Sequence, residues 1–316
     1  MSGSDVVLEA RGLTKRYRTR SGGVTAVDAV DLSVRRGEVY GFLGPNGAGK
    51  TTTLRMLLGL VAPTSGTVRV LGHPPGDPRA LARLGALIEE PAFYPYLSGR
   101  DNLRVLARYA GVDEARIDGA LEVVELTSRR RDPFATYSLG MKQRLGVAGA
   151  LLKDPELVVL DEPTNGLDPA GMRDMRRLIA ELGASGRTVL LSSHLLAEVQ
   201  QVCDRVAVID GGRLLREGTV DAIRGETELV VRAAPSDVAR ARLEELAAVE
   251  AVRVLDGTLR VRVDARHTGA VNEALVSAGV AVTELRRSER QLEDVFLELT
   301  SRPVPVPTPT EEIHDG

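Results

Sequence analysis

Residues 44–51 of the chain, GPNGAGKT, have a spacing that suits phosphate chemistry. The pattern G-x-x-x-x-G-K-[ST] lets backbone N–H groups point at phosphate oxygens, and a helix that begins here adds the positive end of its dipole. Lys50 can place its charge on the β- and γ-phosphates, and the Thr51 hydroxyl can ligate Mg²⁺. The pattern therefore predicts a nucleotide-binding site.

A pair of carboxylates follows an apolar run further along the chain. Asp161 and Glu162 come directly after the residues LVVL at 157–160. The carboxyl end of such a strand is the edge where α/β sheets bind ligands. Asp161 is suited to hold Mg²⁺ through water, and Glu162 to orient or deprotonate the water that attacks the γ-phosphate. An acidic strand end alone is often a helix cap or a turn, so this interpretation depends on residues 44–51.

The elements that must position these residues follow from apolar spacing. A strand over 38–43 ends at Gly44, and apolar residues at helical spacing then predict a helix over 51–60. Short apolar runs at 157–160 and 188–191 are typical of strands in a buried parallel sheet, joined by a crossover helix over 170–182. Alternating residues predict half-buried strands over 6–10 and 30–34 with a turn region over 18–24. The pair Ser98 and Asp101 predicts the start of a helix over 102–110.

The composition of the chain excludes several classes of protein. Its 316 residues are 43% hydrophobic and 27% charged, the balance of a folded protein of about two domains. The formal net charge of −3 gives no general basic surface, so we expect no nucleic-acid partner. We find no apolar run of the ~18 residues that a membrane span needs and no signal-peptide pattern. The single cysteine, Cys203, excludes an internal disulfide framework. We expect a cytosolic or membrane-peripheral protein.

Changes in composition divide the chain into three parts. Residues 1–225 form an α/β domain, with a mostly helical insertion at about 90–150. Residues 226–300 predict the order β-α-β-β-α-β of a small, ferredoxin-like α+β domain, with a hairpin at Asp256-Gly257 and a final helix over 291–300. Residues 301–316 are rich in proline and then acidic, which predicts a disordered or extended tail.

Residues 6 to about 220 closely resemble the ATP-binding subunit of an ATP-binding cassette (ABC) transporter. Beside residues 44–51 and the LVVLDEP stretch, the resemblance rests on motifs in the family's order: Tyr17 in LTKRYR, SLGMKQ from Ser138 (with Met141 in place of the usual second glycine), Asp168 in NGLDP and His194 in LLSSH. It implies a P-loop NTPase core with an antiparallel β part and a helical subdomain.

The resemblance also implies a role for each motif. Tyr17 stacks on adenine, Lys50, Glu162 and His194 are catalytic, and Thr51 and Asp161 hold Mg²⁺. Two copies sandwich two ATP molecules head to tail, so that Ser138 and Gly140 of one copy reach the γ-phosphate held by the other. The implied ATP contacts are Tyr17, Gly44, Pro45, Asn46, Gly47, Ala48, Gly49, Lys50, Thr51, Thr52, Glu89, Ser138, Gly140 and Asp168. The partners are a second copy and an integral membrane permease on separate chains, which places the protein on the inner face of the cell membrane.

One position departs from the family's usual pattern. Glu89 stands where members usually carry glutamine, in the loop that joins the core to the helical insertion. A carboxylate can accept a hydrogen bond from metal-bound water but cannot donate one as an amide does. Glutamate here resembles the subgroup associated with export of, or immunity to, bacitracin-type and lantibiotic peptides. A neutral substitution with no meaning for the substrate is an equally open interpretation.

We therefore expect an ATP hydrolase that powers a separate permease and exports a drug, an antibiotic or a peptide. Two alternatives stay open at this point. One is a soluble ABC ATPase of translation or DNA repair, although those usually carry two cassettes or a long coiled coil. The other is a nucleotide-sensing regulator, against which Glu162 and His194 argue. The C-terminal extension resembles that of some exporter ATPases, and dimer support, regulation and passive packing are all open as its role.

Overall fold

The computed structural model describes residues 5–19, 22–224, 228–255, 257–288 and 296. The chain divides into a first unit up to residue 225 and a second unit from residue 226. The tail expected over 301–316 lies outside the described residues, as does the helix expected over 291–300 apart from Phe296.

The first unit alternates strands and helices along the chain. Its strands are β1 (Val6–Thr19), β2 (Gly22–Arg35), β3 (Val39–Leu43), β4 (Ser65–Val70), β5 (Leu84–Leu87), β6 (Leu157–Asp161), β7 (Thr188–Ser193), β8 (Arg205–Asp210) and β9 (Arg213–Thr219). Its α-helices are α1 (Lys50–Leu57), α2 (Pro78–Leu81), α3 (Gly99–Ala110), α4 (Arg116–Val123), α5 (Leu139–Leu151), α6 (Pro169–Ala184), α7 (Leu196–Val199) and α8 (Val220–Arg224).

The larger sheet has the strand order β5-β6-β7-β3-β8-β9. The first five strands are parallel, and β9 pairs antiparallel with β8. Every residue of β3, β6 and β7 is buried, which is why most of their side chains are apolar. Parallel pairing brings the carboxyl ends of β3, β6 and β7 to one edge. The expected α/β fold with a buried parallel sheet is confirmed.

The smaller sheet is antiparallel and has the order β2-β1-β4. The short strands expected over 6–10 and 30–34, with a turn region over 18–24, are wrong in extent. β1 and β2 pair from Val6 opposite Arg35 to Thr19 opposite Gly22, so most of the expected turn region is strand. Four register shifts along this pair interrupt the period-two alternation of apolar and polar residues. The alternation therefore does not mark the full length of either strand. The apolar core of the first unit includes residues of both sheets and of α1, among them Leu8, Val30, Tyr40, Phe42 and Leu54.

The helical insertion between β5 and β6 holds α3, α4 and α5. Ser98 caps α3 by accepting a hydrogen bond from the Asp101 backbone N–H, and it donates its hydroxyl to the Asp101 carboxylate at 2.5 Å. The cap moves the start of this helix to Gly99, three residues before the expected residue 102. Likewise, the crossover helix α6 begins at Pro169 because Asp168 caps it.

The second unit is a sheet covered by helices. It comprises β10 (Glu228–Ala234), α9 (Ser236–Glu244), β11 (Val249–Leu255), β12 (Thr258–Val263), α10 (Thr268–Ser277) and β13 (Ala281–Ser288). The strands lie in the order β11-β12-β10-β13, with each neighbour antiparallel. Residues of the sheet and of both helices form a separate apolar core, among them Leu229, Ala239, Val261 and Leu275. Among the described residues of both units, no helix is long and apolar enough to span a bilayer.

Candidate nucleotide site

Two glycines let the loop between β3 and α1 lie against neighbouring backbone. A Cβ on Gly44 would lie 2.3 Å from the Ile209 carbonyl oxygen, and a Cβ on Gly49 would lie 2.4 Å from that of Ala26. Gly49 also has φ +102°, a conformation that L side chains rarely adopt. The loop is therefore fixed in place by two positions that admit no side chain.

Lys50 is the first residue of α1 and is only 6% exposed. Its ammonium donates hydrogen bonds to the carbonyl oxygens of Gly44 at 2.7 Å and of Pro45 at 3.2 Å. These bonds hold the charge beneath the loop whose amides are suited to phosphate. A buried lysine with these partners is placed to bind an anion.

The carboxylates at the end of β6 are held by the neighbouring strand β7. Parallel register puts Asp161 opposite Ser192, whose hydroxyl donates to the Asp161 carboxylate. The Glu162 backbone N–H donates to the carbonyl oxygen and to Oγ of Ser192, at 3.2 and 3.0 Å. Glu162 has φ +49°, so the chain turns sharply where the strand ends. Sequence reasoning missed Ser192, although its place two residues before His194 at a strand end was a usable signal.

Glu162 joins the lysine to the histidine. Its Oε1 atom lies 3.0 Å from Lys50 Nζ, and its Oε2 atom lies 2.8 Å from His194 Nδ1. Oε1 is buried and accepts no hydrogen bond from the described residues, so the lysine contact is an ion pair without hydrogen-bond geometry. An ionised carboxylate only accepts hydrogen bonds, so His194 Nδ1 is the donor in this arrangement. The structure thus brings together Lys50, Asp161, Glu162 and His194.

The donor set at this edge fits Mg²⁺ that arrives with a nucleotide. The Thr51 hydroxyl makes no hydrogen bond to the described residues, and only one oxygen of Asp161 is used by Ser192. No group of three or more His, Cys, Asp or Glu in the described ranges could hold a metal by itself. Mg²⁺ often takes one or two protein oxygens and completes its shell with phosphate and water, which matches this pair.

Ser138, Gly140 and Asp168 line a separate cavity of about 420 Å³ that no residue of 44–51 lines. Ser138 caps α5 by accepting from the Met141 N–H, and Asp168 caps α6 by accepting from the Gly171 N–H at 3.0 Å. A Cβ on Gly140 would meet its nearest atom at 3.9 Å, an ordinary contact, so this chain alone does not require glycine there. The cavity gathers the second set of predicted residues in one place.

Tyr17 and Glu89 lie outside both groups. Tyr17 is 39% exposed on β1, and Lys15 Nζ lies 5.1 Å from its ring centroid. Glu89 follows β5, has φ +64° and forms an ion pair with Arg55 of α1. Sequence reasoning missed Arg55, and no motif signals it. The remaining members of the predicted set, Asn46, Gly47, Ala48 and Thr52, lie in the same loop or in the first turn of α1.

Known proteins resemble this chain over most of its length. Residues 27–165 match the family model described as ABC transporter. The bacitracin transport ATP-binding protein BcrA of Bacillus licheniformis is 40% identical over 300 residues, across 93% of this chain and 97% of that protein. The lantibiotic transport ATP-binding protein SrtF of Streptococcus pyogenes is 40% identical over 223 residues, across 71% and 95%. A solved ATP-binding subunit of an ABC transporter is 32% identical and aligns with a TM-score of 0.61 over 69% of this chain and 92% of that one.

Proposed function

The chain belongs to the ATP-binding subunits of ABC transporters, and from that premise we propose that it hydrolyses ATP at residues 44–51 to drive a permease that exports a peptide antibiotic. The observation that carries the proposal is the contact series Lys50–Glu162–His194 beneath the loop. This series places Lys50, a cation that can bind phosphate, beside Glu162, a carboxylate that can accept a proton from water, and both side chains are at least partly buried.

ATP binding exchanges the partners of the lysine. In the structure, the charge of Lys50 is balanced by Glu162 at 3.0 Å. The β- and γ-phosphates bring more negative charge to the loop than one carboxylate does, and they take over Lys50. Thr51 and Asp161 would hold Mg²⁺, which would neutralise part of the phosphate charge.

The released carboxylate then serves the hydrolysis step. Glu162 accepts a proton from the attacking water as the water oxygen bonds to the γ-phosphorus and the bond to the ADP oxygen breaks. His194 Nδ1 keeps Glu162 Oε2 in place at 2.8 Å, so Oε1 is the oxygen free to face the water. The products are ADP and phosphate.

A second copy of the chain completes each site. Among the residues that line the cavity of Ser138, Gly140 and Asp168 there is no lysine, and the basic side chain among them is Arg144. We propose that it receives the γ-phosphate held by the loop of the second copy, as the family resemblance implies. ATP is then part of the interface, so it stabilises the closed pair, and hydrolysis lets the pair open.

The exported compound is inferred from the relatives. A bacitracin transport protein and a lantibiotic transport protein each match most of the chain. The family resemblance associates glutamate at position 89 with that subgroup. We propose a peptide antibiotic as substrate and a membrane permease on a separate chain as partner, with this subunit on the inner face of the membrane. The relatives are transport proteins, which removes the alternatives of a translation or repair ATPase and of a nucleotide sensor.

The experiment is a deletion of the gene for this chain in its own host. We expect the deletion to lower the inhibitory concentration of bacitracin or of a lantibiotic about fourfold or more, and the intact gene to restore it. Lys50→Ala should not restore it, because a phosphate-loop lysine cannot be replaced by a neutral side chain. The matched control is Lys153→Ala, because Lys153 lies outside the site and donates to the Leu81 carbonyl.

Two outcomes contradict the proposal. Unchanged sensitivity to both classes of peptide in the deletion strain would reject the substrate class. Full restoration by Lys50→Ala would reject ATP hydrolysis at this loop as the energy source.

A further inference from the structure

One ion pair connects the loop after β5 to the helix of the phosphate loop. Arg55 Nη2 contacts Glu89 Oε1, with the two side chains 37% and 62% exposed. On α1, the residues Thr51, Thr52 and Arg55 form the partly exposed stripe, since Lys50, Thr53, Leu54, Met56 and Leu57 are the buried ones. Thr51 and Arg55 are one turn apart and share this face. The pair thus joins the helix face that begins at the phosphate site to Glu89.

The backbone at Glu89 is held in an uncommon conformation. Its φ of +64° is in the left-handed region, which costs free energy for a residue with a Cβ. The loop carries glutamate there rather than the glycine that would relieve this cost. Glutamate stands at this position despite that cost, and its side chain contacts Arg55 of α1.

The same loop packs against a second helix. A Cβ added to Gly146 of α5 would lie 2.8 Å from Pro91 Cγ and 2.9 Å from Leu87 Cδ1. These two residues flank Glu89 on the chain, and α5 is the helix that Ser138 caps. Residues 87–91 therefore touch both α1, which begins at Lys50, and α5, which begins beside Ser138.

The ion pair is not needed for folding. Both side chains are partly exposed, and such pairs contribute little to stability because water screens them. α1 is held by its buried apolar face and α5 by seven buried residues. The Arg55–Glu89 contact can therefore break and re-form without loss of the fold.

We propose that Arg55 is a positioning residue for ATP hydrolysis. Through Glu89 it sets the loop 87–91, and through Leu87 and Pro91 the loop sets α5, so the state of the phosphate site reaches Ser138. The inference rests on the proposed function, in which Ser138 serves the ATP of the second copy. Its effect belongs to the step after ATP has bound, when two copies must align.

The test is steady-state ATP hydrolysis by the full chain with Mg²⁺. Arg55→Gln and Glu89→Gln should each lower kcat about threefold to fivefold, the range of one exposed ion pair, with KM for ATP within about twofold. The double variant should be no slower than either single variant. The kcat of Arg55→Lys should stay within about twofold of that of the unaltered chain. The variant that carries both Arg55→Glu and Glu89→Arg should recover at least half of the kcat that the single Gln variants lose.

The control is Arg79→Gln, which removes a similar exposed arginine that pairs with Asp77. It should leave kcat unchanged. Three outcomes would each overturn the role of Arg55. They are losses of kcat that multiply in the double variant, no recovery of kcat in the exchanged pair, and a large fall in melting temperature in place of the kcat effect. Turnover by the unaltered chain in the same assay tests the proposed function separately, so the two failures are distinguishable.

Discussion

Glu162 is the side chain that connects the other residues of the candidate site. It contacts Lys50 and His194, and its backbone is held by Ser192 of the neighbouring strand. The sequence predicts each of these residues except Ser192 from its own motif, but their contacts are long-range. Side-chain direction depends on the parallel register of β6 and β7, which apolar patterning does not specify. The assigned catalytic roles stay predictions.

Gly49 gives the sharpest prediction for a single residue. Gly49→Ala should abolish measurable ATP binding, because its Cβ would meet the Ala26 carbonyl oxygen at 2.4 Å and its φ is +102°. We expect the free energy of unfolding to fall by about 2–4 kcal/mol, the combined cost of overpacking and of the strained backbone. Urea denaturation and isothermal titration with ATP measure the two effects.

Gly186→Ala is the matched control for that substitution. Gly186 has φ +86° and nothing within 4 Å of an added Cβ, so it isolates the backbone cost. It should destabilise the chain by about 1 kcal/mol and leave ATP binding intact. Equal loss of binding in both variants would show that the close approach at Gly49 is unimportant.

At the scale of elements, the sequence predicts most accurately the buried strands, which are marked by apolar runs. Residues 38–43, 157–160 and 188–191 correspond to β3, β6 and β7 because strands buried on both faces carry mostly apolar side chains. The long hairpin of β1 and β2 was underestimated, since its bulges disrupt alternation. Arg55 was missed because it bonds to Glu89, 34 residues away, and no local pattern records that contact.

Glu156 links two arginines from separate parts of the first unit and makes stability depend on pH. Hydrogen bonds from Arg83 and then Arg36 lower the pKa of Glu156 from 4.5 to about 2. The folded chain therefore favours the carboxylate, and this stabilisation is present above about pH 4.5 and lost as the pH falls toward 2. The side chain is 35% exposed, so solvent screening limits the effect to about 1 kcal/mol or less.

We predict that Glu156→Gln lowers the free energy of unfolding at pH 7 and that its difference from the unaltered chain shrinks between pH 4.5 and 3. Urea denaturation at several pH values measures this difference. Glu122→Gln is the control, because Glu122 is exposed and pairs with no described residue. A difference that grows as the pH falls would mean that the arginines do not stabilise the Glu156 carboxylate.

At the scale of the whole molecule, the proposed pair of chains accounts for the separation of the two groups of predicted site residues. Residues 44–51 include Lys50 and do not line the Ser138 cavity, whose lining residues include Arg144 but no lysine. In the proposed pair, each chain would supply one half of two sites, so ATP would join the copies. Neither composition nor strand pattern predicts such an assembly; only the family's motif order suggests it.

The most direct measurement is the mass of the Glu162→Gln variant by sedimentation with and without Mg·ATP. The account predicts a monomer of 33.9 kDa without nucleotide and a particle of twice that mass with it, since ATP binds but is not hydrolysed. Adding Gly140→Asp should abolish the shift by opposing the phosphate of the second copy. Adding Gly119→Asp, at an open position on α4, should not. A variant that stays monomeric in saturating Mg·ATP, or that pairs equally well with Gly140→Asp, would contradict the account.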